Sequence, residues 1–233
     1  MLEDRNRQNI INILHIINIL HIINILHIIR LLSMIKDKIT PELKERFIQT
    51  IHKTIDTGSE QGFFICSDKQ KKLYPSKSCE GDECKIMLED KSTICSHSIQ
   101  GDFHAHPYLA NAKRKYRELG KQIPIDNILK QEVRKSLIEK HEEKGISTIS
   151  PVIPSYKDTL NTILHKCFRN TDITTCAGSD LDKNKIECWT PKEVRHGQCT
   201  RAVFELRKVI DKKKEFFPKK WIVPLFEKEQ IIL

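Results

Sequence analysis

The stretch Ile99-Gln-Gly-Asp-Phe-His-Ala-His-Pro107 decides how this chain is interpreted, because it predicts a strand that ends in a pair of histidines. Side chains alternate between the two faces of a strand, so Asp102 and His104 share one face. His106 follows two residues later and projects to the same side. Pro107 ends the strand and fixes the turn after it. Two imidazoles side by side suit one zinc ion, which binds histidine nitrogen at about 2.0–2.1 Å.

Apolar periodicity and turn-forming residues predict that strands and helices alternate along the rest of the chain. No Gly-x-Gly-x-x-Gly or Walker-type sequence occurs, so a nucleotide-cofactor fold loses most of its support. We predict an α/β fold, in which a mixed sheet is flanked by helices. The expected helices run from Thr40 to Gly58 and over 110–119, 126–144 (capped by Asp126), 155–168 and 200–214. The expected strands cover 62–66, 71–74, 84–88, 99–104, 146–153, 173–178 and 185–190, the last two forming a hairpin.

A third ligand is predicted at a helix start, in Pro154-Ser-Tyr-Lys-Asp158. A serine cap with an acid three residues on projects the Asp158 carboxylate from the first helical turn, where it can bind a metal ion. The same Ser-x-x-Asp spacing is also a common capping arrangement. With His104 and His106, Asp158 would leave the fourth tetrahedral position for water, as in catalytic zinc sites.

Glu60 is the candidate base. It lies in Ser59-Glu-Gln-Gly-Phe-Phe64, at the predicted junction of a helix and a buried strand. Hydrolysis by an activated water needs a nearby group that takes its proton and passes it to the leaving amine. A glutamate held beside the histidines could do this, although in isolation Glu60 reads as an ordinary loop acid.

Three motifs, in this order, resemble the JAMM (JAB1/MPN-type) zinc metalloprotease family over roughly residues 40–190. They are Glu60, His104-x-His106-Pro107 and Ser155-x-x-Asp158. The resemblance implies a cytidine-deaminase-like JAB/MPN fold and a zinc ion (Zn2+) on the two histidines and Asp158. It also implies that Glu60 is the general acid/base and that Ser155 helps to stabilise the tetrahedral oxyanion. The implied activity is that of a peptidase or isopeptidase acting on a protein or peptide, with a ubiquitin-like modifier conjugate as the family-style substrate.

One departure from the family pattern concerns spacing. A long basic helical segment, about residues 108–145, separates Pro107 from Ser155, whereas the family keeps the corresponding motifs close together. Either this segment is an insertion that caps the site and selects substrate, or the Ser155–Asp158 match is fortuitous. The apolar strand expected over 146–153, leading into Pro154, favours the insertion.

The predicted domain covers residues 34–215, between an N-terminal segment (1–33) and a C-terminal tail (216–233). Residues 10–29 repeat Ile, Asn, Leu and His with a period of six, which matches neither a heptad nor one helical face. We interpret the repeat as a low-complexity expansion or a mis-called start, with a membrane-associated helix as the alternative. Its Asn and His residues weigh against a transmembrane span.

The net charge of +9 fits an acidic partner, such as nucleic acid, an acidic protein or an anionic membrane. No aromatic-rich or zinc-finger readout motif accompanies the basic segments, so nucleic-acid binding stands only as an alternative function. A non-catalytic scaffold of the same fold is the other alternative. The sequence leaves the oligomeric state open.

The eight cysteines form no Cys-x-x-Cys pair. We interpret them mainly as small buried apolar residues, with structural disulfides as an alternative and a second metal knuckle at Cys79 and Cys84 as another. The chain begins without the features of a signal peptide. The sequence therefore predicts a cytoplasmic protein with reduced thiols.

Overall fold

A six-stranded sheet in the order β2-β1-β3-β4-β5-β6 organises the compact unit Thr40–Leu233. The computed structural model describes residues 38–76, 95–147, 150–211 and 217–233. The strands are β1 (Gln61–Ser67), β2 (Leu73–Pro75), β3 (Ser98–His106), β4 (Thr174–Ser179), β5 (Asp182–Pro191) and β6 (Phe226–Ile232). The helices are α1 (Pro41–Thr57), α2 (Tyr108–Glu118), α3 (Asp126–Glu143), α4 (Tyr156–Arg169) and α5 (His196–Asp211).

The sheet is mixed, because β3 and β4 run parallel whereas the other neighbouring strands run antiparallel. This confirms the predicted α/β class with helices flanking a mixed sheet. The sequence repeat over 10–29, the strand expected over 84–88, and Cys79 and Cys84 lie outside the described residues. Within the described residues, no helix combines the length and the apolar character needed to cross a membrane.

Strand β3 has one face in the core and one face that carries the polar residues. Phe103 and Ala105 are fully buried, and the ring of Phe103 lies 4.8 Å from that of Phe47 on α1 and 5.4 Å from that of Phe63 on β1. Aromatic burial of this kind is a large stabilising contribution to a core. Because this face of β3 packs against α1, Asp102 and the two histidines lie on the opposite face, away from α1.

Gly101 is where β3 and β4 approach most closely. A Cβ atom at this position would lie 2.3 Å from the backbone oxygen of Thr174. Only glycine fits such a contact, because backbone atoms of paired strands cannot give way as a flexible side chain can. Gly101 therefore permits the register in which Asp102 lies opposite Thr175.

Helix α4 begins as predicted, with Ser155 as its N-cap. Its buried residues Tyr156, Leu160 and Ile163 pack into a core cluster that also contains Trp189 of β5 and Phe226 of β6. Burying an apolar side chain of this size stabilises the fold by about 1.5–3 kcal/mol. The cluster therefore fixes the start of α4 over the sheet.

The C-terminal segment is a structural part of the sheet. Residues 216–233 were expected to form a separate tail, whereas Phe226–Ile232 pairs with β5 along its length. The sequence did not predict this strand because Glu227, Lys228 and Glu229 give it a charged character. Such residues suit an edge strand that is half exposed.

The predicted helical segment over about 108–145 forms α2 and α3, which share a small apolar cluster with the β4–β5 hairpin. The carboxylate of Asp180 accepts hydrogen bonds from the backbone N–H groups of Leu109 (2.9 Å) and Ala110 (3.0 Å), so it caps α2 from another part of the chain. Arg134 of α3 donates to the backbone oxygen of Leu181 at 2.8 Å. These contacts hold both helices against the hairpin.

Two predictions about local structure are wrong. Residues 146–153 were expected to form a strand, but the described residues of this range are irregular. Val152 and Ile153 are buried, as the apolar run required, yet Val152 bonds locally to Ser150 rather than to a neighbouring strand. Asp126 does not cap α3 either: Ile125 holds the N-cap position and Asp126 is the first helical residue.

Among the residues that the structure describes, six cysteines are paired. The disulfides are Cys66–Cys95, Cys167–Cys199 and Cys176–Cys188, with Cα atoms 5.5, 5.8 and 4.0 Å apart. The expectation that the thiols are reduced and the cysteines mainly small apolar residues is therefore wrong for these six. Their wide spacing in sequence concealed pairs that the strands and helices bring together.

Candidate metal centre

Strand β3 places Asp102, His104 and His106 in one row on the face opposite Phe103. The two imidazole rings are 4.7 Å apart between centroids, as the alternation of the strand predicted. Gly62 of β1 and Ala177 of β4 stand opposite His104 in the register. Because both of these neighbours are small, the adjoining strands leave room beside His104 in its own row of the sheet.

Helix α4 brings Asp158 to this row. Its Oδ2 atom lies 3.3 Å from Nε2 of His104. The same Oδ2 accepts hydrogen bonds from the backbone N–H of Ser155 (3.1 Å) and from its hydroxyl group, while Ser155 Oγ accepts from the backbone N–H of Asp158. The motif is a capping box, and its acid also faces a histidine. The role of Asp158 as a metal ligand stays a prediction.

Glu60 approaches the row from the other side. It lies between α1 and β1, and its Oε2 atom is 3.8 Å from Nδ1 of His106. About a third of its side chain (34%) is exposed, against 3% for His106. The histidines are thus buried, and the cluster opens to solvent at the position of the predicted base.

All five predicted site residues lie at this cluster: Glu60, His104, His106, Ser155 and Asp158. Two groups of side chains place their ligand atoms within 4.8 Å of one another. One group is Glu60, His104 and His106, and the other is Asp102, His104 and Asp158. His104 belongs to both, so the four predicted acids and histidines form one centre with Asp102 beside it.

Two residues that contact the histidines of the centre were not predicted from the sequence. Asp102 was placed on the face of His104 but given no role, although the alternation of the strand was enough to nominate it. The ring of Tyr108, two residues after His106, stacks on that histidine at 5.1 Å between centroids. No motif pointed to Tyr108, because the turn at Pro107 and the start of α2 decide where its ring lies.

The two histidines differ in their electrostatic surroundings. Burial favours the neutral form of both histidines. At His104 this effect is outweighed by the charge of Asp158, the hydrogen bond with Asp102 and the charge of Glu60. The pKa of His104 is therefore raised to about 10. Burial, and next the charge of His104, lowers the pKa of His106 well below its usual value. Burial also raises the pKa of Glu60, while the charge of His104 opposes that shift.

These residues fit a divalent metal ion. The buried Nε2 atom of His104 has no hydrogen-bond partner among the described residues, although Asp158 faces it. Imidazole nitrogen and carboxylate oxygen are the ligands of many transition-metal sites. Three carboxylates, those of Glu60, Asp102 and Asp158, surround two histidines. Burial raises the pKa of Glu60 and of Asp102, so negative charge on these groups is unfavourable without a nearby cation. A bound cation would balance it.

Comparison with known proteins adds no relative: no protein-family model, no curated protein and no solved structure matches this chain.

Proposed function

We propose that the chain is a zinc-dependent hydrolase of the JAMM type, with the JAB/MPN variant of the α/β fold. Its substrate would be an amide or isopeptide bond in a protein or peptide, a ubiquitin-like modifier conjugate being the family-style case. One observation carries the proposal: Glu60, the two histidines and Asp158 come from three separate segments and meet in one cluster.

In this proposal His104, His106 and Asp158 hold the metal ion. A zinc ion held by these residues would supply Lewis-acid chemistry toward water and toward a substrate carbonyl. Glu60, which stands at the solvent-facing side of the cluster, accepts the proton of the attacking water and donates it to the leaving amine. Burial raises the pKa of Glu60, and this direction favours uptake of a proton by the carboxylate.

Ser155 has a second role in the proposal. Its hydroxyl group donates to Asp158 in the capping box, and it lies at the N-terminal end of α4. The positive end of the helix dipole favours negative charge at this place. Ser155 has one hydroxyl proton, which would turn from Asp158, once that carboxylate holds the metal ion, to the oxygen that becomes negative as the carbonyl is attacked.

The disulfides bear on the compartment. Structural disulfides persist in oxidising compartments and are rare in the cytosol. Three of them in one unit favour an oxidising compartment over the cytoplasm that the sequence predicted. We include this placement in the proposal.

Zinc content tests the metal centre. The full chain is purified, and bound zinc is measured for wild type, His106→Ala and Asp158→Ala, with the exposed His52→Ala as a matched control. We expect about one zinc per wild-type and control chain and a strong loss in the other two variants. Equal zinc content in all four proteins would refute the centre.

A second experiment separates enzyme from scaffold. Glu60→Gln is assayed on peptide and modifier-linked substrates beside Glu45→Gln, an exposed glutamate of α1. We expect Glu60→Gln to keep zinc and to lose at least about 100-fold in kcat, as removal of a general base commonly does. Wild type that binds zinc and cleaves no such substrate would favour the scaffold.

A further inference from the structure

We infer that Asp102 is a positioning residue for the metal centre: its carboxylate binds Nδ1 of His104 and so directs Nε2 of that ring toward the metal ion. This inference rests on the proposed function, because it assigns His104 as a ligand. Oδ2 of Asp102 lies 3.5 Å from Nδ1 of His104, with the two side chains 13% and 6% exposed. Water therefore competes little for either group.

Asp102 is itself held in place from the neighbouring strand. The hydroxyl group of Thr175 on β4 donates a hydrogen bond to the same Oδ2 atom at 3.0 Å. The two residues are partners in the parallel register of β3 and β4. Since Gly101 allows these strands to approach closely, Thr175 holds the carboxylate in the absence of a metal ion.

The geometry distinguishes Asp102 from a ligand. The two nitrogens of an imidazole point away from each other, and a metal ion occupies one of them while the other donates a hydrogen bond. Nδ1 of His104 faces Asp102, whereas Nε2 faces Asp158 at 3.3 Å. A metal ion on Nε2 is thus on the side of Asp158, and Asp102 supports the ring from behind.

A carboxylate behind a ligating histidine has two effects. It fixes which ring nitrogen carries the proton, and it makes the other nitrogen a stronger ligand. Loss of such a partner commonly costs about 10- to 100-fold in metal affinity. At His106, by contrast, Nδ1 faces Glu60, which comes from the segment before β1. Each histidine thus has a different carboxylate beside its Nδ1 atom, and that of His106 is the more exposed.

Zinc affinity of the full-length variants tests this role. Dissociation constants are measured by competition with a chromogenic chelator for wild type, Asp102→Ala, Asp102→Asn and Thr175→Val. Glu187→Gln is the matched control, because Glu187 is a buried carboxylate of the same sheet that instead accepts from the indole of Trp189 at 2.7 Å. We expect Kd to rise about 10- to 100-fold in Asp102→Ala and less in Asp102→Asn, whose amide oxygen still accepts. Thr175→Val should show a smaller rise, and the control none.

A spectroscopic readout makes the result independent of activity, and circular dichroism controls for folding defects. Nitrogen-15 NMR of the histidine side chains should show, in the zinc-loaded wild type, His104 bound through Nε2 with a slowly exchanging proton on Nδ1. Asp102→Asn and Thr175→Val should increase the exchange of that proton while circular dichroism stays unchanged. If Asp102→Ala fails to fold, these two variants carry the test.

Three outcomes would overturn the inference. Unchanged zinc affinity and proton exchange in the Asp102 variants would mean that the contact does nothing. If Asp102→Asn lost all its zinc, as is expected of Asp158→Ala, Asp102 would be a direct ligand of the metal ion. An equal loss in Glu187→Gln would show that any buried carboxylate of the sheet matters. If wild type binds no zinc, the proposed function fails, whereas the Nδ1 proton in the metal-free chain still reports on the contact.

Discussion

Nε2 of His104 lies 3.3 Å from Oδ2 of Asp158, although the whole of α2 and α3 separates these residues in sequence. The long helical segment therefore does not carry Ser155 and Asp158 away from the histidines. Asp180 is one reason, because it ties the start of α2 to the end of β4 beside the centre.

The cap that Asp180 provides should stabilise the protein measurably. We expect Asp180→Ala to lower the free energy of unfolding by about 1–2 kcal/mol, since two backbone N–H groups at the start of α2 lose their acceptor. Urea unfolding measures the change. Asp126→Ala is the control, because its exposed carboxylate pairs with Lys113 on the surface and should matter less. Equal effects would contradict the anchoring role.

Gly101→Ala should be strongly destabilising. The new Cβ would meet a backbone oxygen at 2.3 Å, and the clash is relieved only by separating β3 from β4. We expect a loss of about 3 kcal/mol or more in the free energy of unfolding. Gly197→Ala on α5 is the control, because no described atom lies within 4 Å of the place its Cβ would take and alanine favours a helix. A neutral Gly101→Ala would disprove the close approach.

Acid should weaken the fold through His141. This histidine of α3 is fully buried beside the ring of Phe217, and burial lowers its pKa to about 4. In the unfolded chain His141 takes up a proton near pH 6.5, whereas in the folded chain it does so only near pH 4. The free energy of unfolding therefore falls as the pH drops from about 6.5 to about 4. The total is on the order of 3 kcal/mol.

Urea unfolding between about pH 7 and pH 4 measures this loss. His141→Leu should lose less stability over the same range than wild type, because it has no group to protonate. The exposed His52→Leu should follow wild type. Parallel pH profiles for all three proteins would show that His141 does not titrate as its burial implies.

The disulfide Cys167–Cys199 should contribute about 3–4 kcal/mol, because it closes a loop between residues 32 apart that joins α4 to α5. Cys167→Ala combined with Cys199→Ala should lower the urea midpoint accordingly. A non-reduced digest analysed by mass spectrometry should contain peptides that link these two positions. Free thiols at both positions in the purified chain would exclude this pair and remove one of the three disulfides from which the oxidising compartment is proposed.

Local rules were sufficient for the parts of the site that are close in sequence. The alternation of side chains on a strand placed His104 beside His106, and helix capping placed Ser155 against Asp158. Thr40, Pro41 and Gly58 likewise marked the ends of α1, because caps act through neighbouring backbone groups. Such relationships depend on a few consecutive residues, which the chain itself specifies.

Tertiary structure decided everything that joins distant segments. The sequence could not show that Asp102 bonds Thr175 across β3 and β4, nor which cysteines pair, because register and packing of separate elements determine these contacts. It also mistook residues 146–153 for a strand, since an apolar run needs a partner strand as well as β-forming residues. The amino-acid sequence by itself determined the two histidines of the centre; the folding of the sheet and of α4 decided which carboxylates surround them.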